Sequence, residues 1–150
     1  MNLDSRLSRV LHILLHLAHE NKPMSSQHFA TMLGTQSAVI RRTMAGLNRA
    51  GYITSTKGKN GGWSISCDLE KVTLLDIYQA IGEPKVFSIG FDNQNPNCLV
   101  EKSVNTSLNE ALQEAEALLL KRLSQVTLSS LSDEFTRQYT EHTEATHQNE

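Results

Sequence analysis

Apolar residues recur at helical spacing near the start of the chain. Leu3, Leu7, Val10, Leu11, Leu14, Leu15, Leu17 and Ala18 form one stripe; Ser5, Ser8, Arg9, His12, His16 and His19 form the other. The spacing predicts an amphipathic helix over 3–20, broken by the run Asn21-Lys22-Pro23-Met24. A short helix follows, capped by Ser25 or Ser26, with Phe29, Ala30, Met32 and Leu33 inward and Gly34 at its end. After a turn, Val39, Ile40, Thr43, Met44 and Leu47 give a further helix its apolar face, and Gly51 closes it. Two short helices joined by a tight glycine-containing turn are the helix-turn-helix signature.

The period then changes. "YITS" and "WSI" alternate and carry aromatic or β-branched residues, so they predict a hairpin around "TKGKNGG". Thr73 caps a predicted helix that ends at Gly82, and residues 83–97 show no period. Asn95-Pro96 reads as an N-cap with proline in the first turn of a long helix, from about residue 97 to Leu123. Val100, Val104, Leu108, Ala111, Leu112, Ala115, Leu118 and Leu119 form its stripe. A short helical segment, "TLSSLSDEF", follows, and the polar residues 135–150 are expected to be disordered. The fold class is therefore mainly α with a small β hairpin. A winged helix-turn-helix over 1–82 is joined by a loop over 83–97 to a dimerisation helix and short C-terminal helix over 98–134. The long helix lacks a second long partner in its own chain, and an apolar stripe must be buried against something. A second copy is the simplest candidate.

Charge sharpens this picture. Residues 1–62 carry a net charge of +6 and residues 63–150 a net charge of −8, within a total of −2. A basic N-terminal half points to nucleic-acid contact at that end. No apolar run reaches the roughly 18 residues of a membrane span, so no membrane association is expected. Two cysteines, Cys67 and Cys98, imply no disulfide framework, and the chain reads as cytoplasmic.

In a helix-turn-helix the second helix enters the major groove and its first turns reach base edges. Those positions here are Gln36, Ser37, Ala38, Arg41 and Arg42. Glutamine pairs with adenine, arginine with guanine, and Ala38 is small enough to meet a thymine methyl. Neighbouring residues sit about 100° apart on a helix, so Arg41 is assigned to bases and Arg42 to phosphate. In the hairpin, Lys57 and Lys59 supply positive charge, and Gly58, Gly61 and Gly62 allow close approach to a phosphate. Ser25 and Ser26, at a helix start, offer amides to another phosphate. The expected partner is double-stranded DNA. No paired-carboxylate or nucleophile motif assembles, so an enzyme is not expected.

The stretches "IRRTMAGLNRAGYITSTKGKNGGWSIS" and "EKVTLLDIYQAI" resemble the Rrf2 family of bacterial winged-helix transcription regulators. The resemblance covers about residues 1–134 and includes the wing pattern K-G-x-x-G-G followed by an aromatic residue. It implies a homodimer whose long C-terminal helices cross, with the first helix alongside, acting on a palindromic operator, most simply as a repressor. Cluster-binding members carry three cysteines in the loop before the long helix. Here only Cys98 matches, the earlier positions falling near Val86 and Asp92, so the chain resembles the cluster-less branch and no cofactor is expected.

Cys98 is a candidate redox-sensing thiol, since a helix start favours thiolate and Lys102 lies one turn on. A half-buried structural cysteine is the plainer alternative. His12, His16 and His19 share one helix face, where polar or interface packing is expected in preference to metal. The alternatives to a DNA-binding regulator are a winged-helix protein-interaction module and an iron–sulfur sensor; an effector for the 83–97 loop stays open.

Overall fold

The computed structural model describes residues 3–147. Its elements are α1 (Arg6–Glu20), α2 (Ser26–Leu33), α3 (Ser37–Arg49), β1 (Ile53–Thr56), β2 (Gly62–Ile65), α4 (Leu74–Ala80), α5 (Leu99–Leu123) and α6 (Leu128–His147). The fold is mostly helical with one two-stranded antiparallel hairpin, as the sequence predicts.

The core is built from one stripe of each N-terminal helix. Val10, Ile13, Leu14 and Leu17 of α1, Phe29 and Ala30 of α2, and Ile40, Met44 and Leu47 of α3 are buried together. Ile53 of β1 and Ile77 of α4 close the cluster. Helix ends follow local chemistry. The Ser25 hydroxyl accepts from the His28 amide at 3.0 Å, and Gly34 leaves α2 at φ 64°. Thr73 and Asp76 form a reciprocal capping box at the start of α4. Helix α1 starts at Arg6, later than expected, because Asp4 binds the Arg6 backbone amide and guanidinium. That leaves Leu3 outside the helix and 83% exposed.

The wing is pinned to the α1–α2 connection. Ile53 pairs with Ile65 and Thr56 with Gly62, and Met24 and Trp63 exchange both backbone hydrogen bonds, at 3.0 and 2.8 Å. At Gly46 the backbones of α3 and α4 touch: a Cβ there would lie 2.4 Å from the Ala80 carbonyl oxygen.

Three expectations for the C-terminal half differ from the structure. Helix α6 runs to His147, through residues expected to be disordered; residues 148–150 of that tail lie outside the described residues. Its start is also part of the N-terminal unit. Leu128 is 2% exposed within the core, and Leu128 N–H donates to the Val72 carbonyl at 2.9 Å. Farther along, Phe135 and Tyr139 lie against the His19 ring, and Arg137 bridges Glu134 and Glu141. A sparse stripe at Leu128, Leu131, Phe135 and Tyr139 suffices because α1 supplies the opposing surface. The expected cap at Asn95-Pro96 also shifts. The Asn95 carbonyl closes a turn onto the Cys98 amide, and Cys98 itself is the N-cap of α5.

Helix α5 behaves differently from all the others. None of its residues is buried, and Leu99, Val100 and Leu118 are 77%, 73% and 70% exposed. At 25 residues it is about 37 Å long.

Leu128→Ala is expected to destabilise the fold by about 2–5 kcal/mol, the usual cost of emptying a core site. Leu3→Ala should stay within about 0.5 kcal/mol; urea unfolding of both variants checks this. His16 stacks on His12 with ring centroids 4.9 Å apart. Burial holds the His16 pKa below its usual value, with the neighbouring His12 charge acting in the same direction and Glu20 opposing. The unfolded chain therefore takes up this proton more readily. The stability contributed by neutral His16 is present above about pH 6.5 and is lost as pH falls through and below that value. The urea midpoint should drop between pH 7.5 and 5.5, and His16→Gln should shrink that drop.

Candidate nucleic-acid interface

The turn into α3 is set by Gly34, after which the Thr35 amide returns to the Ala30 carbonyl at 2.9 Å. Gln36 is the N-cap of α3, but its side chain makes no capping bond, and it is exposed. With Ile40, Met44 and Leu47 taken into the core, the opposite face is left to solvent. Ala38, Arg41 and Arg42 are exposed and Ser37 is half-buried. Arg41 and Arg42 occupy different stripes: Arg42 lies in line with Gly46 and Arg49, facing a cleft beside α1 and α4, whereas Arg41 does not line it.

The second part of the surface is the wing and the start of α2. Lys57 and Lys59 are both exposed at the hairpin tip, between strands paired as far as Thr56 and Gly62. Gly58 adopts φ 106°, and its carbonyl accepts from the Gly61 amide at 3.1 Å. Gly61 and Gly62 do allow a close approach, but to the protein's own backbone. A Cβ on Gly61 would lie 2.1 Å from the Thr56 carbonyl oxygen, and one on Gly62 would lie 2.5 Å from the Met24 backbone.

Between the wing tip and α2 lies an open cleft of about 610 Å³, whose lining includes Lys22, Ser25, His28, Lys59 and Asn60. Both serines singled out by the sequence carry structural bonds. Ser25 caps the His28 amide, and the Ser26 hydroxyl accepts from the Trp63 indole at 2.8 Å. Among the described residues the amides of Ser26 and Gln27 have no acceptor, so the helix start still offers two donors towards an anion. Sequence reasoning missed Lys22, His28 and Asn60. His28 was findable, because it lies in the first turn of the helix that Ser25 caps. Lys22 reaches the cleft only through the path of the Pro23–Met24 connection.

The 83–97 loop lies along α5. The Tyr78 hydroxyl donates to the Pro84 carbonyl at 2.5 Å, and the Asn105 amide donates to the Asp92 carbonyl at 2.8 Å. Cys98 is exposed where this loop enters α5, whereas Cys67 is half-buried against the core. Burial pushes the Cys67 thiol pKa up. An iron–sulfur cluster takes ligands that are mostly thiolates. Val86 and Asp92, near the positions that the family resemblance pairs with two further cysteines, supply no thiolate. With one thiol, Cys98, in this segment, these residues are a poor donor set for a cluster.

Comparison with known proteins agrees with this geometry. Residues 3–134 match the family described as "Rrf2: Iron-dependent Transcriptional regulator". The chain is 32% identical over 138 residues to the Lactococcus lactis protein named "Putative HTH-type transcriptional regulator YffB", covering 89% of this chain and 88% of that one. It is 28% identical over 129 residues to "Putative HTH-type transcriptional regulator YwnA" of Bacillus subtilis, covering 86% and 96%. Among solved structures, a "putative transcriptional regulator" from Lactobacillus plantarum shares the fold with a TM-score of 0.74 at 22% identity, over 96% of this chain and 99% of that one. With nearly the whole of its winged-helix unit and long helix matched, the chain belongs to the Rrf2 family of transcription regulators.

Proposed function

We propose that this protein is a cytoplasmic, sequence-specific DNA-binding repressor that acts as a homodimer on a palindromic operator. The observation that carries the reading is the pairing of two unsatisfied surfaces. An exposed polar stripe on α3 is flanked by a basic wing, and α5 leaves its apolar stripe uncovered. The first surface suits a DNA groove and the second suits another copy of α5. In this reading Gln36, Ser37, Ala38 and Arg41 read bases. Arg42, Lys57, Lys59 and the amides at the Ser25–Ser26 helix start hold phosphates, with Gly61 and Gly62 setting the tip's path. Two α3 helices on a two-fold axis read half-sites spaced by about one turn of duplex or a multiple of it.

Selection from a random duplex pool should enrich a palindrome, and affinity for it should fall steeply with salt. Lys57→Ala with Lys59→Ala should flatten that dependence by about 0.9 in log–log slope for each phosphate no longer neutralised. An unchanged slope removes the wing from the phosphate-holding surface. Failure to enrich any duplex points to a protein partner instead. In sedimentation the chain should run as a dimer, and Val104→Asp with Leu108→Asp should yield monomers that bind a half-site weakly.

Thiol responsiveness belongs to the same reading. Cys98 is exposed at the junction between the loop and α5, so oxidation by peroxide to a sulfenic acid, with release of water, places a larger polar group there. Peroxide should weaken operator binding by the native chain and leave Cys98→Ser unaffected. Equal weakening in both proteins would exclude Cys98 as the sensor.

A further inference from the structure

A second basic cleft shares only Arg42 with the DNA-facing residues named above. Four arginines line it: Arg6 and Arg9 from the first turns of α1, and Arg42 and Arg49 from the outer stripe of α3. Its floor is the end of α4, where Gln79, Ala80 and Ile81 approach α3 at Gly46. The cleft has a volume of about 290 Å³ and shares no residue with the wing cleft.

The charge balance within it is uneven. Asp4 takes Arg6, at 2.7 Å, and the same arginine donates to the Ile81 carbonyl at 3.3 Å. Arg6 is therefore spent on neutralising the carboxylate and the carbonyl end of α4. Arg9 makes one long bond, to the Ser5 hydroxyl at 3.3 Å. Arg9, Arg42 and Arg49 form no ion pair among the described residues; Asp4, outside the cleft's lining, pairs with Arg6 and feels the Arg9 charge only as its smallest influence. Three unpaired guanidinium groups brought to one opening repel one another, and an anion at the rim relieves that repulsion. Guanidinium forks match phosphate oxygens bidentately. The floor lies close under α3, where the Ala80 carbonyl leaves no room for a side chain at Gly46.

We propose that this cleft is a phosphate-binding site on the DNA-facing surface, in which Arg9, Arg42 and Arg49 hold a backbone phosphate on the side of α3 away from the wing cleft. The proposal rests on the DNA-binding reading above. A helix about 10–12 Å across fills a major groove about 12 Å wide, and a sugar-phosphate backbone forms each wall. The wing and the start of α2 serve one wall, and the arginine cleft serves the other. Arg42 thereby joins the base-reading turns of α3 to a contact that carries no sequence information itself but fixes the helix's depth and tilt.

The test compares the full-length native chain with the double variant Arg9→Gln/Arg49→Gln, which spares Arg6 and its structural bonds. Native protein is first titrated with its selected duplex over a range of salt. The variant should bind that duplex more weakly by a factor on the order of ten at low salt. Its salt slope should be shallower by about 0.9 for each phosphate it no longer holds, with the ranking of operator variants preserved. Ethylation interference should disappear at one phosphate position per half-site, while circular dichroism and sedimentation match the native chain. A variant with native slope and native ethylation pattern overturns the proposal. So does stabilisation of the native chain but not the variant by inorganic pyrophosphate alongside an unchanged slope, which would assign the cleft to a free anion. Dissociation of the variant into monomers overturns it in favour of an interface between copies. If the native chain itself selects no duplex, the DNA-binding reading fails and the cleft assignment falls with it. That outcome is read before the variant is measured.

Discussion

Two reciprocal hydrogen bonds between Met24 and Trp63 tie the wing to the rest of the fold. A two-stranded hairpin is at best marginally stable in water, and each strand here is only four residues long. The segment between α1 and α2 adds a third run of backbone to the hairpin's edge, and the Trp63 indole reaches on to Ser26. Gly62 is required at this seam because Met24 backbone fills the space a Cβ would need. The wing tip's position relative to α2 is therefore fixed by the protein backbone, and Lys59 is held across the cleft from Ser25 and His28. Lysines on a free loop would lose far more conformational entropy on meeting phosphate.

The exposed face of α3 is in turn what the core leaves behind. Ile40, Met44 and Leu47 must point inward, so Arg41 and Arg42 fall outside that stripe without any interaction of their own to place them. Gly46 costs helix propensity, roughly 1 kcal/mol relative to alanine in a helix interior. It is needed here because α3 lies directly on the α4 carbonyl end. The short α4, set by its capping box, thus controls how α3 sits and places the floor of the arginine cleft.

Most of this architecture is legible in the sequence because it is written in local periods. The helix-turn-helix, the hairpin, the α4 cap and the unpartnered stripe of α5 all follow from spacing and punctuation. What escapes depends on surfaces distant in the chain. The stripe on α6 is too sparse to predict a helix by itself, and it becomes sufficient only when His19 and the α1 face lie opposite. Leu128 looks like an ordinary residue of a short segment until Val72 and Leu69 accept from α6. Gly61 and Gly62 do read as close-approach positions, but no local pattern shows that they approach Thr56 and Met24. The arginine cleft joins residues from two helices separated by more than thirty positions, so it has no signature along the chain.

The division of charge gives the two halves different electrostatic roles. The half with net charge +6 contains α1, α2, α3 and the wing tip, whereas the half with net charge −8 contains α5 and α6. Near a polyanion, the first half is attracted and the second repelled, which orients the molecule before any specific contact forms. The acidic excess is not carried by α5, whose four glutamates stand against Lys102, Lys121 and Arg122 for a net −1, so most of the acidic surface lies on the preceding segment and on α6. Leu99, Val100, Val104, Leu108 and Leu118 are therefore exposed on a nearly neutral helix. In the proposed dimer, apolar burial along that stripe meets little charge repulsion from α5 itself.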